Sequence, residues 1–130
     1  MIVDANVLTS ALLGTSLPLL IDLRTRGMIL FMPRHQFVET RLVVTRKSSM
    51  PVREFELIAK AVVEVIPSNA YEQFEETARI RLQPRGQPDW PVLAAAMAYN
   101  DEIWSNDRDF FGVGMPVWTT ANVKYASVAG

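Results

Sequence analysis

Apolar residues along this chain alternate between short unbroken runs and a spacing of three to four. Met1-Ile2-Val3 is such a run, and continuous apolar residues predict a short strand buried on both faces. Val7, Leu8, Ala11 and Leu12 then repeat at helical spacing, with Gly14 placed to end the helix as its left-handed residue. Leu19, Leu20 and Leu23 mark a second helix, with Arg24 and Arg26 near its negative end and Gly27 stopping it. Met28 to Met32 predicts the next strand, ended by Pro33, which has no N–H to give a ladder. A helix from about Arg34 to Arg46 follows, carrying Phe37, Val38 and Val44, and Ser48-Ser49 breaks it.

Pro51 suits a first helical turn, and Phe55, Ile58, Ala59 and Val62 form the apolar stripe of a helix ending near Val63. Val65-Ile66 is a short strand candidate. Asn69, with Glu72 three residues on, has the form of a capping box before Tyr71, Phe74, Ala78 and Leu82 on one helical face. On the opposite face, Glu75 and Arg79 make an i,i+4 pair, so Glu72, Glu75 and Glu76 belong to solvated surface and stay outside any site. The segment from Gln83 to Pro88 predicts a loop delivering Asp89 to a helix start, and Val92 to Tyr99 is apolar nearly all round, as a central helix should be. A last strand pair, Ile103 to Ser105 and Pro116 to Thr119, flanks a turn around Phe110 to Gly114. Helices alternating with short apolar strands predict one domain over residues 1–130, a three-layer α/β/α sandwich with a central, mainly parallel sheet.

Composition narrows the chemistry. With no cysteine there are no disulfides, no thiolate metal site and no cysteine nucleophile, which suits a cytoplasmic protein. A single histidine, His35, makes zinc a poor fit. No apolar stretch approaches a membrane span, and Asp4 interrupts the start before a secretory core could form. The net charge of −1 argues against a generally basic nucleic-acid coat but leaves room for a local basic rim.

Four acids remain. Asp4 leaves the first strand, Glu39 lies early in the third helix, Asp89 begins the buried helix and Asp107 leaves the fourth strand. Ligand sites of parallel sheets form outside the strands' carboxyl ends, and all four acids map to that edge. Clustered carboxylates repel unless cations lie between them, and oxygen-only donors favour Mg2+ or Mn2+. Each acid also has an ordinary explanation: a helix N-cap for Asp89, a bond to the next helix terminus for Asp4, His35 as partner for Glu39, and an Asx-turn or pairing with Arg108 for Asp107 and especially Asp109. Only the joint arrangement favours a site.

Three segments carry a resemblance: Met1-Ile2-Val3-Asp4-Ala5-Asn6-Val7-Leu8, Pro88-Asp89-Trp90-Pro91-Val92-Leu93-Ala94-Ala95-Ala96, and Trp104-Ser105-Asn106-Asp107-Arg108-Asp109-Phe110. In this order and spacing the chain resembles a PIN domain, a family that includes metal-dependent ribonucleases and the toxins of VapBC-type toxin–antitoxin pairs. The resemblance matches Asp4, Glu39, Asp89 and Asp107 to the family's four acids, Asn6 to the polar residue after the first, Ser105 to a hydroxyl position that is usually threonine, and Asp109 to an additional acid. It implies hydrolysis of RNA phosphodiesters with one or two Mg2+ or Mn2+ ions held by Asp4, Asp89, Asp107 and Asp109, Glu39 completing the cage. An antitoxin partner and a homodimer are also implied.

Arg34, Arg41, Arg85 and Arg108 are the cations placed by position to meet RNA near the acid edge. Trp90 and Trp104 have two readings, base stacking or core, and His35 and the methionines read as structural. Two other functions compete. Asp4-Ala5-Asn6 is also similar to the first motif of haloacid-dehalogenase-like phosphatases, but Asn6 stands where their second aspartate belongs. A PIN module that binds RNA or a partner without cutting is the other.

Overall fold

A computed structural model describes residues 1–126. Its elements run β1 (Ile2–Val3), α1 (Ala5–Leu13), α2 (Leu17–Thr25), β2 (Phe31–Pro33), α3 (Arg34–Ser48), α4 (Val52–Val62), β3 (Glu64–Ile66), α5 (Glu75–Arg81), α6 (Trp90–Tyr99), β4 (Ile103–Trp104) and β5 (Val117–Trp118). The strands form one sheet in the order β3-β2-β1-β4-β5, and every neighbouring pair is parallel. Strand alternation sorts the core into two layers. Val3, Met32 and Trp104 face a cluster built with α1 to α4, while Ile2, Ile66 and Ile103 face one built with α5 and α6. This is the expected three-layer α/β/α architecture. Among the described residues no single helix is long and apolar enough to cross a membrane; α1 and α2 pass by composition only as a pair bent by 114°.

Several local expectations are corrected. Gly14 has φ −126°, outside the left-handed region, whereas Gly27 (φ 94°), Ser49 (φ 60°) and Asn100 (φ 48°) do turn left-handed after α2, α3 and α6. The second strand is Phe31–Pro33, not Met28 to Met32. The Met28 N–H still bonds back to the Leu23 carbonyl at 3.0 Å, and Pro33 joins the ladder as its last residue, opposite Ile66, where its missing N–H costs least. Asn69 caps nothing. Three-residue turns of 3-10 type at Ser68–Ala70 and Glu72–Phe74 precede a shorter helix that begins at Glu75. The presumed loop before Asp89 is itself a 3-10 turn, Pro84–Asp89. β4 and β5 are parallel neighbours joined without an α-helix, only a 3-10 turn at Arg108–Phe110.

Candidate metal centre

The strand order places a reversal at β1 and β4. From β1 the chain builds outward through β2 and β3, then crosses to β4 and β5 on the other side, which opens a crevice at the carboxyl ends of the two central strands. The register Ile2↔Ile103 and Val3↔Trp104 sets Asp4 beside Ser105. The Asp4 N–H donates to the Trp104 carbonyl at 3.1 Å, and the Ser105 hydroxyl donates to Asp4 Oδ2 at 2.6 Å. Both residues are buried, Asp4 with 2% of its surface exposed. Burial pushes the Asp4 carboxyl up to about 6; the Ser105 hydroxyl and the Asn6 N–H hold it down, and the charges of Asp89 and Asp107 push it further up. Asn6 thus acts on Asp4 through its main chain, and its side chain is exposed.

Ser105 Oγ also accepts from the Asp107 N–H at 3.0 Å, and Asp107 Oδ1 accepts from the Asp109 N–H at 2.9 Å. The Asx-type cap expected more of Asp109 therefore belongs to Asp107. Asp109 pairs with Arg85, Nε to Oδ1 at 2.8 Å, and not with Arg108. Asp89 sits at the start of α6 yet makes no side-chain capping bond, so the N-cap explanation for it fails. Its carboxyl is raised by burial and then by the charges of Asp107 and Asp109, with the Gln36 side chain opposing them. Glu39 is exposed on α3, and burial and the Asp89 charge raise its carboxyl too. His35, offered as its partner, instead bonds the Tyr71 hydroxyl and stands edge-on to Trp90 at 5.2 Å.

Two polar residues unmarked by the sequence reading support this arrangement. Gln36 is 2% exposed, and its Oε1 accepts the Ala5 N–H at the start of α1 at 2.8 Å. Thr40 is fully buried one turn later and donates to the Gln36 carbonyl at 2.9 Å. Their signal was present: residues 36, 37, 40 and 44 form one buried stripe on α3, and two of them are polar. The arginines divide. Arg85 is engaged by Asp109, and Arg41 pairs with Glu56 of α4 at 3.2 Å; Arg34 and Arg108 are exposed and make no ion pair among the described residues. Trp90 and Trp104 are buried, in line with a core role and against base stacking. Glu72, Glu75 and Glu76 line a separate open groove of about 600 Å³ on α5.

A family model of the PIN domain matches residues 2–127. The protein belongs to the PIN domain family. Among solved structures, this PIN domain is similar to a chain of VapBC2 from Rickettsia felis bound to a DNA fragment from its promoter, with TM-score 0.71 and 16% identity over 91% of this chain and 96% of that one. A chain of a toxin–antitoxin complex from Klebsiella pneumoniae is also similar, with TM-score 0.67 and 18% identity over 92% of this chain and 96% of that one. At such identities the likeness shows the fold. No curated protein sequence matches the chain. PIN domains are generally nucleases that use divalent metal ions.

The residues fit such an ion by donor chemistry. Asp4, Asp89 and Asp107 offer only hard oxygen atoms; the charges of Asp89 and Asp107 act on Asp4, and that of Asp107 acts on Asp89. Among the described residues no three acids stand close enough to grip one ion together. Mg2+ keeps several waters and is commonly held by one or two carboxylates, so one or two of these acids would meet it directly and the others would reach it through water.

Proposed function

We propose that this PIN domain hydrolyses RNA phosphodiester bonds with Mg2+ or Mn2+, one or two ions, and that it is the toxin of a VapBC-type toxin–antitoxin pair. The observation that carries the reading is Asp4, a buried carboxylate at the strand-order reversal, hydrogen-bonded to Ser105 and adjoining the charges of Asp89 and Asp107. One or two of Asp4, Asp89 and Asp107 would hold the ion directly, and the remaining acid and Glu39 would complete the set through its waters. A bound ion would supply a water of lowered pKa and would offset charge on the phosphate. Ser105 fixes the Asp4 carboxylate, and the Asp107 N–H on the same hydroxyl ties the two acids to one geometry. Of the four candidate arginines, Arg34 and Arg108, exposed and without an ion pair among the described residues, would meet the RNA backbone. An antitoxin partner follows from this reading, since both similar structures are described as complexes of that class. A cytoplasmic homodimer is the assembly expected with it.

The test is cleavage of structured and single-stranded RNAs with Mg2+ or Mn2+, beside an EDTA control. Metal-dependent cutting is expected, and Asp4→Asn and Asp89→Asn are each expected to abolish it while leaving the circular dichroism spectrum unchanged. Full activity in either variant would reject the site. Binding of RNA without any cleavage would make the protein a non-catalytic PIN module.

A further inference from the structure

The chain of hydrogen bonds that starts at Asp4 does not stop at Asp107. It continues through Asp109 to Arg85, which lies on the turn leading into Asp89. We propose that Arg85 and Asp109 are a positioning pair that buckles the turn carrying Asp89 to the turn carrying Asp107, and that Asp109 serves the site through this contact and not as an ion ligand. The inference rests on the metal-dependent nuclease reading for its purpose, while its geometry stands without it.

Three observations carry the argument. First, the partners differ in freedom. The Asp109 side chain is 11% exposed and is anchored by its own N–H on Asp107 Oδ1, whereas Arg85 is 78% exposed and reaches over to it at 2.8 Å. Second, the turns touch at a point that admits no side chain. A Cβ on Gly86 would stand 2.8 Å from the Asp109 Cβ, so glycine is what lets the Arg85 turn close against the acid. Third, the Asp89 turn is stiff. It contains Pro84 and Pro88, and the Gly86 N–H closes onto the Gln83 carbonyl at 2.8 Å, so fixing Arg85 and Gly86 also fixes Asp89 at the turn's end.

The electrostatics explain why a buckle is needed. Asp89 on one turn faces Asp107 and Asp109 on the other, three carboxylates on two turns that touch at Gly86, and such turns repel wherever no cation joins them. Arg85 is the cation that joins them among the described residues. An ion pair this exposed holds weakly on its own, and the close approach at Gly86 is what makes its geometry definite. With Oδ1 committed to Arg85, Asp109 orders its neighbours in the way residues behind metal ligands do.

The experiment compares the full chain with Arg85→Ala, Arg85→Lys, Gly86→Ala, Asp109→Ala and the Arg85→Ala/Asp109→Ala double variant. Two readouts are taken: amide hydrogen exchange at Arg85, Gly86, Gln87 and Asp89 in the metal-free protein, and Mn2+ affinity by calorimetry. Arg85→Ala, Gly86→Ala and Asp109→Ala are each expected to speed exchange at the amide of residue 86 and to weaken Mn2+ binding by about tenfold. The double variant should be no weaker than the worse single one, because one contact is lost either way, and Arg85→Lys should recover part of the loss. The proposal is overturned if Asp109→Ala alone weakens Mn2+ binding while Arg85→Ala and Gly86→Ala leave affinity and exchange untouched, the pattern of a direct ligand. Unchanged exchange in all variants also overturns it. Failure of the nuclease reading shows separately, as no Mn2+ binding or RNA cleavage by the unaltered protein, and exchange at the turn still decides the buckle.

Discussion

A carboxylate shut away from water raises the free energy of the fold, and among the described residues no basic side chain pairs with Asp4 to offset this. Its carboxyl lies at about 6 instead of 3.8, chiefly through burial. A raised carboxyl pKa means that this group's contribution to stability is fully present below pH 3.8 and is lost as pH rises to about 6. Moving from 3.8 to about 6 corresponds to about 3 kcal/mol at most. Asp4→Asn, which keeps the shape and an oxygen for Ser105, should therefore stabilise the metal-free protein at pH 7 by about 1–3 kcal/mol. Below pH 4 it should change little. Urea unfolding at the two pH values checks this, and destabilisation at pH 7 would show that Asp4 is held for the fold's own sake. Stability gained as activity is lost is the mark of a residue kept for chemistry.

At the scale of elements, the support for the site comes from α3. Gln36 gives its Oε1 to the first N–H of α1 and sets its side chain against Asp89, so a single buried amide joins the helix after Asp4 to the acid before α6. Gln36→Leu should leave the Ala5 N–H without its acceptor and lower stability by about 1–3 kcal/mol. It should also move the Asp89 carboxyl further up, since Gln36 opposes that shift; thermal unfolding together with an NMR titration of Asp89 measures both. Such elements were unevenly legible. β1, β4 and α6 could be read because burial on both faces leaves an apolar run with no alternative, whereas β2 starts three residues later than its apolar run. The 3-10 turns at 68–74 and 84–89 could not, because Asn69 with Glu72 has the form of a helix cap and Gln83 to Pro88 the composition of a loop, while the buried Tyr71 is held by His35, far away in sequence. Asp4, Ser105 and Asp107 were legible because each follows an apolar strand, and the register does the rest. Gln36 and Thr40 were missed because a polar residue on a helix reads as surface until the helix is known to be covered. Arg85 and Asp109 were singled out separately, but no local pattern pairs residues 24 positions apart.

On the scale of the whole molecule, the site and the fold are set against each other and a cation would reconcile them. The central strands meet at Asp4 and Ser105, residues 101 positions apart in sequence, so the same register that completes the sheet brings the acids together. The net charge is only −1, and the repulsion is local to this edge. Saturating Mn2+ should thus stabilise the entire domain by mass action, by about 2.7 kcal/mol at a concentration a hundred times its dissociation constant. The gain should be greatest at pH 7 to 8 and should shrink as pH falls through about 6, where Asp4 takes up a proton and ceases to be a donor. Asp4→Asn should remove most of it, having already relieved the strain the ion would relieve. Thermal unfolding with and without Mn2+ from pH 5 to 8 measures this. Stabilisation that is flat across that range would place the ion elsewhere on the surface; one that tracks the Asp4 titration would tie ion binding to the junction of the two central strands.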